Sequence, residues 1–175
     1  MHAVVVYESM FGNTHVIADH IAEGLRSRLE TTVVAVHDAT DDMVAGADLL
    51  VVGGPTHVHG MSSHRSREGA KEIAAKDDDL ELEPDAEGPG LRDWFDDLGK
   101  APSGRAAAFD TRVHATAVLT GQASKGIAKR LRRHGFDVVV EPESFFVDKE
   151  NRLEPDEAER AEAWGRSLAE TLQPT

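Results

Sequence analysis

Cysteine is absent from this chain of 175 residues. Disulfides, thiolate-held zinc, iron–sulfur clusters and a cysteine nucleophile are thereby excluded. Aromatic residues are scarce at 5%, with two tryptophans and a single tyrosine, so few large ring faces exist for stacking. No apolar run approaches the ~20 residues needed to span a bilayer. The opening "MHAVVVYESM" lacks the basic region and long apolar stretch of a secretory leader. Basic residues are the minority, 19 against 32 acidic, for a net charge of −13. Such a surface repels nucleic-acid backbones and anionic lipid, attracts basic proteins and favours solubility. The expectation is a cytoplasmic protein with no nucleic-acid or membrane partner. Three signatures are also missing: the G-x-x-x-x-G-K-[ST] phosphate loop, the dinucleotide G-x-G-x-x-G and the G-x-S-x-G elbow of serine hydrolases.

What is present is a regular alternation of strand and helix signals. With 40% apolar residues, the chain suits one domain, 1–175, around a sizeable core. Short apolar runs at 2–8, 31–37, 47–55 and 136–147 read as strands, the last with Pro142 marking a bulge or edge, and 105–111 reads as a weaker one. Between them lie helical patterns. Val16, Ile17, Ile21, Leu25 and Leu29 share one face, as do Leu91, Trp94, Phe95 and Leu98. A helix is expected over 63–76 with Ser63 as N-cap, another over 124–135 stopped by Gly135. The last opens with "EPDEAERAEAW", its early carboxylates suiting the helix dipole. Parallel strands need crossover helices, so the fold class is α/β: a doubly wound, five-stranded parallel sheet with helices on both faces. Residues 77–90, "DDDLELEPDAEGPG", read as an acidic surface loop.

In an open α/β sheet, ligands sit beyond the carboxyl ends of the strands. Three turns lie there, at 9–14, 55–62 and 111–122. The first, "SMFGNT", places Ser9 and Thr14 around Gly12, ahead of a helix N-terminus whose free N–H groups favour an anion. No lysine or arginine lies in this turn, so a phosphate there is held by dipoles and neutral donors. The plain reading is that Ser9, Asn13 and Thr14 only cap the helix.

The turn resembles the phosphate loop of the flavodoxin family, roughly [ST]-x-T-G-x-T, with Phe11 in place of the middle threonine. "GGPTHVHG" and "FDTRVHATAVLTGQASKG" are similar in position to the family's second and third flavin loops. The resemblance implies strand order 2-1-3-4-5 and non-covalently bound FMN. Ser9, Met10, Phe11, Gly12, Asn13 and Thr14 are expected to hold the phosphate. Pro55, Thr56, His57, Val58, His59 and Gly60 are expected on one side of the ring. Thr111, Arg112, Val113, His114 and Gly121 are expected on the other. No catalytic side chain is required, because the flavin carries the chemistry.

Neither ring loop contains a tryptophan or tyrosine, which predicts weaker stacking than in an aromatic-sandwiched relative. An inward-facing Arg112 favours the negative charge of a reduced flavin and a higher potential; the alternative is an arginine in solvent or paired with Asp110. His57, His59 and His64 fall short of a metal site, having no fourth ligand or matching spacing. The basic run Lys125, Lys129, Arg130, Arg132 and Arg133 reads as a solvated helix face, or a patch for an acidic partner or a dinucleotide phosphate. The function expected is transfer of reducing equivalents to or from a redox partner protein. The alternatives are an NAD(P)H-dependent quinone or flavin oxidoreductase, and a flavin-free domain serving protein binding or regulation. Both monomer and dimer remain open.

Overall fold

Ala3, Val4, Val5 and Val6 are completely buried because their strand, β1 (His2–Tyr7), lies inside the sheet. In the computed structural model, which describes residues 1–57, 59–84, 86–100 and 104–172, β1 is paired in parallel with β2 (Glu30–Ala35) and β3 (Leu49–His57). A strand covered on both faces has no polar side, which is why these segments read as unbroken apolar runs. Beyond β3 comes β5 (Arg105–Val113), again parallel. The last position is one strand in two pieces, β6 (Asp137–Val138) and β7 (Glu143–Val147), both parallel to β5. Residues 139–142 stand opposite only Ala107 and Ala108, so two extra residues bulge at Pro142, which has no N–H for the ladder. The order is therefore β2-β1-β3-β5-β6/β7, the expected arrangement. One strand was not anticipated: β4 (Gly60–Met61) folds back antiparallel on Thr56 and His57.

Helices cover both faces. On one, α1 (Asn13–Leu25) and α7 (Glu157–Thr171) pack Ile17, Ile21, Leu25, Ala161 and Leu168 against Ala3, Val5, Val51 and Phe109. On the other, α2 (Asp41–Ala45), α4 (Leu91–Asp97) and α6 (Ala123–Arg133) bring Val44, Trp94, Phe95, Ile127 and Leu131 onto Val4, Val6, Leu50 and Val52. Each fully buried Leu, Ile or Phe contributes about 1.5–3 kcal/mol. The axes of α1 and α7 approach so closely that Gly24 and Gly165 face each other. A Cβ on Gly24 would collide with the Glu162 carbonyl, and one on Gly165 with the Ile21 carbonyl. The remaining helices are α3 (His64–Ala74) and the single turn α5 (Ala117–Thr120). Ser63 caps α3 through the Ser66 amide, and the Ser66 hydroxyl returns to the Ser63 amide.

The described residues of the acidic segment 77–90 hold neither helix nor strand, yet the segment is pinned down. Glu83 N donates to Met10 O at 2.8 Å, and Ala86 is buried in a small cluster with Met10 and Ala70. Leu82 and Phe11 flank that cluster. Among the described residues, no helix is long and apolar enough to cross a membrane.

Candidate functional site

β1 ends in the first turn, where Gly12 adopts φ 93° and begins α1. No side chain caps this helix. The hydroxyls that the plain reading assigned to capping do other things. Ser9 Oγ accepts the Gly12 amide at 3.1 Å, and Thr14 Oγ1 lies 2.7 Å from Thr111 Oγ1, tying the first turn to the third. Asn13 Nδ2 donates to Asn151 O at 2.8 Å. The first-turn amides of α1 thus keep their outward orientation and their partial positive charge.

The three turns enclose one cavity of about 150 Å³. Ser9, Met10, Phe11, Asn13 and Thr14 line it from the first, Pro55, Thr56 and His57 from the second, and Thr111, Arg112 and Val113 from the third. Gly12, His59, Gly60, His114 and Gly121 do not line it, and Val58 lies outside the described residues. His59, at φ 71°, bridges to Gly121, and Thr56 Oγ1 accepts the Ala123 amide at 2.9 Å. The second and third loops are therefore joined. Two lining residues escaped the sequence reading, Val147 and Asn151. Val147 ends the fifth strand and Asn151 lies just beyond it, at a carboxyl end that also faces the site. The left-handed Asn151, φ 59°, in "DKEN" is a turn signal that marks the spot.

Arg112 points into the fold. It is 9% exposed, its Nη1 donates to Ala115 O at 2.7 Å and Thr120 Oγ1 at 2.9 Å, and it stacks 4.8 Å from the Phe146 ring centroid. Its buried Nε has no hydrogen-bond partner among the described residues. Asp110 is fully buried, and burial pushes its carboxyl above the usual range against the opposing hydrogen bond from the Ser124 amide. His57 is held by a 3.3 Å contact to Ser66 Oγ, and burial lowers its pKa below the ordinary 6.5, outweighing the attraction of Glu8. Its neutral form faces the cavity at neutral pH.

A buried ionic cluster supports the loops from beneath. Glu8 accepts from Ser62 Oγ and from the Leu91 amide, while Arg67 reaches Glu8 at 4.0 Å and Asp93 at 3.1 Å. Each charge has a partner, as burial requires. Nothing in the pattern of α3 marked Arg67 as an inward residue. Among the described residues, no three His, Cys, Asp or Glu side chains gather as a metal site would need. The basic run of α6 is solvated apart from Arg130, which pairs with Asp96 at 3.3 Å.

The donors fit an organic phosphate: an uncapped helix N-terminus and neighbouring hydroxyls. One carboxylate works against it. Glu83 Oε1 lies 3.2 Å from where a Cβ on Gly12 would stand, and 3.3 Å from His15 Nδ1.

Comparison with known proteins accords with this geometry. Residues 5–101 match the family model for flavodoxin. The fold superposes on flavodoxin 1 from Bacillus cereus with a TM-score of 0.68 at 22% identity, covering 99% of this chain and 100% of that one. An archaeal flavodoxin gives 0.65 at 20% identity over 98% and 99%. The flavodiiron protein of Giardia intestinalis gives 0.62 at 20% identity, covering 98% of this chain but 36% of the longer one. No curated protein is significantly similar in sequence. The family pattern spans more than half of the residues, and the whole chain shares the fold: this protein is a member of the flavodoxin family.

Proposed function

We propose that this protein binds FMN non-covalently and carries reducing equivalents between partner proteins. The observation that carries the reading is the convergence of three loops on one cavity at the uncapped N-terminus of α1. The α1 amides and the Ser9 and Thr14 hydroxyls hold the phosphate without a lysine or arginine. Arg112 and His57 both line the same cavity. When bound, the flavin supplies one- or two-electron chemistry; the chain sets its potential and its exposure. The cavity of about 150 Å³ is below the ~300–1,000 Å³ of a typical small-molecule site. The acidic surface favours a basic partner, drawn in by long-range attraction.

Titrating FMN into apo-protein and following flavin fluorescence, with riboflavin in parallel, tests this reading. Tight FMN and much weaker riboflavin binding is the expected result. No binding of either leaves a flavin-free module acting through protein contacts.

Arg112 supports a second reading, two-electron exchange with a quinone at the expense of NAD(P)H. A buried cation favours the anionic reduced ring. Arg112→Gln should lower the two-electron potential by roughly 30–60 mV. An unchanged potential removes this argument, and absence of NADPH oxidation with a quinone by FMN-loaded protein leaves the carrier alone.

A further inference from the structure

His57 lines two cavities. Besides the one enclosed by the three turns, it borders a groove of about 810 Å³ along α3. No residue of 111–122 lines this groove. Its volume falls within the ~300–1,000 Å³ typical of small-molecule sites. Phe11, Met61, Ala70 and Ile73 give it an apolar lining, and Ile73 is 58% exposed, a large aliphatic side chain left in water.

The charge of the groove runs against the whole molecule. In a chain of net charge −13, its lining contains Arg65 and Arg92 and no carboxylate. Arg92 is held in place, donating from Nε to Ser62 O at 2.8 Å and from Nη2 to Met61 O at 3.1 Å. The Arg65 side chain makes no ion pair or hydrogen bond with another described residue, although acidic side chains outnumber basic ones elsewhere. An apolar trough with one anchored and one unengaged guanidinium matches a ligand that is flat and apolar with an anionic end.

We propose that the α3 groove binds a small aromatic carboxylate, with its ring against Met61 and Ile73 and its charge at Arg65, as a site separate from the FMN cavity. His57 and Phe11 border both cavities. The proposal does not depend on FMN binding.

The test is calorimetric titration of 2-naphthoate into the protein, with 2-naphthol as the neutral counterpart. The expected result is saturable binding of 2-naphthoate, weaker binding of 2-naphthol, and roughly fivefold loss of affinity in Arg65→Gln. Gly69→Phe tests shape. Gly69 lines the groove, and no atom lies within 4 Å of where its Cβ would stand, so a side chain there begins in open space. It should abolish naphthoate binding while the variant melts cooperatively like the parent. Saturating FMN should leave naphthoate affinity unchanged. Absence of saturable binding, insensitivity to both substitutions, or competitive displacement by FMN each overturns the proposal. A failure of FMN itself to bind leaves the naphthoate titration intact, so the two readings fail separately.

Discussion

Glu83 shows how one side chain can oppose the site it borders. Its backbone amide anchors the acidic segment to Met10, while its carboxylate sits beside Gly12 and is met by His15. A phosphate at the α1 terminus must share that space with a like charge. Removing the charge in Glu83→Gln should strengthen FMN binding by about 0.3–1 kcal/mol, roughly two- to fivefold. The gain should shrink in high salt, because exposed charges are screened. Fluorescence titration at two ionic strengths checks both. His57 gives a second prediction at this scale. Its pKa is lowered in the folded state by burial, so the unfolded chain binds the proton more readily. The stability it confers is present above its unfolded value of about 6.5 and is lost as pH falls through the depressed folded value. His57→Gln should flatten that acid limb in urea denaturation measured from pH 7.5 to 5.

At the scale of elements, the α1–α7 crossing is the tightest helix contact. Gly24→Ala removes a helix-weakening residue but drives a methyl into the Glu162 carbonyl. The propensity gain of at most ~1 kcal/mol is smaller than the repulsion, since backbone cannot rotate aside as a side chain can. A net loss of about 2 kcal/mol is expected, visible as a lower urea midpoint with unchanged slope.

The elements themselves were largely legible. Strands buried on both faces announce themselves as apolar runs, Ser63 marks the start of α3, and Gly135, at φ 96°, ends the basic helix. The alternation of strand and helix then leaves a doubly wound sheet as the solution. What did not show in the sequence depends on register or on distant contacts. The β4 return is two residues long, too short for any period. Asn151 joins the site only because β7 lies beside β5 in a register set by the bulge at 139–142. Ala86 and Leu82 lie among acidic neighbours, so their packing onto Met10 has no periodic signature. The inward turn of Arg112 depends on Phe146 and Thr120, neither identifiable as its partner from spacing.

Across the whole molecule, the excess of 32 acidic over 19 basic residues makes the folded surface repel itself. Compaction brings those charges together, so the native state gains more from screening than the expanded chain. The melting temperature should rise by a few degrees between 10 and 150 mM sodium chloride and then level off. A flat response would mean that the local ion pairs already neutralise the repulsion.

The close passage of Gly24 against Gly165 also orders events during synthesis. The turn at 9–14 is made well before residues 157–171, yet the helix that begins there is covered by α7. A ribosome that has reached residue 150 carries a first helix with part of its apolar face still exposed. The first helix therefore gains its full cover, and the turn at its N-terminus its native support, only once residues 157–171 have emerged from the ribosome.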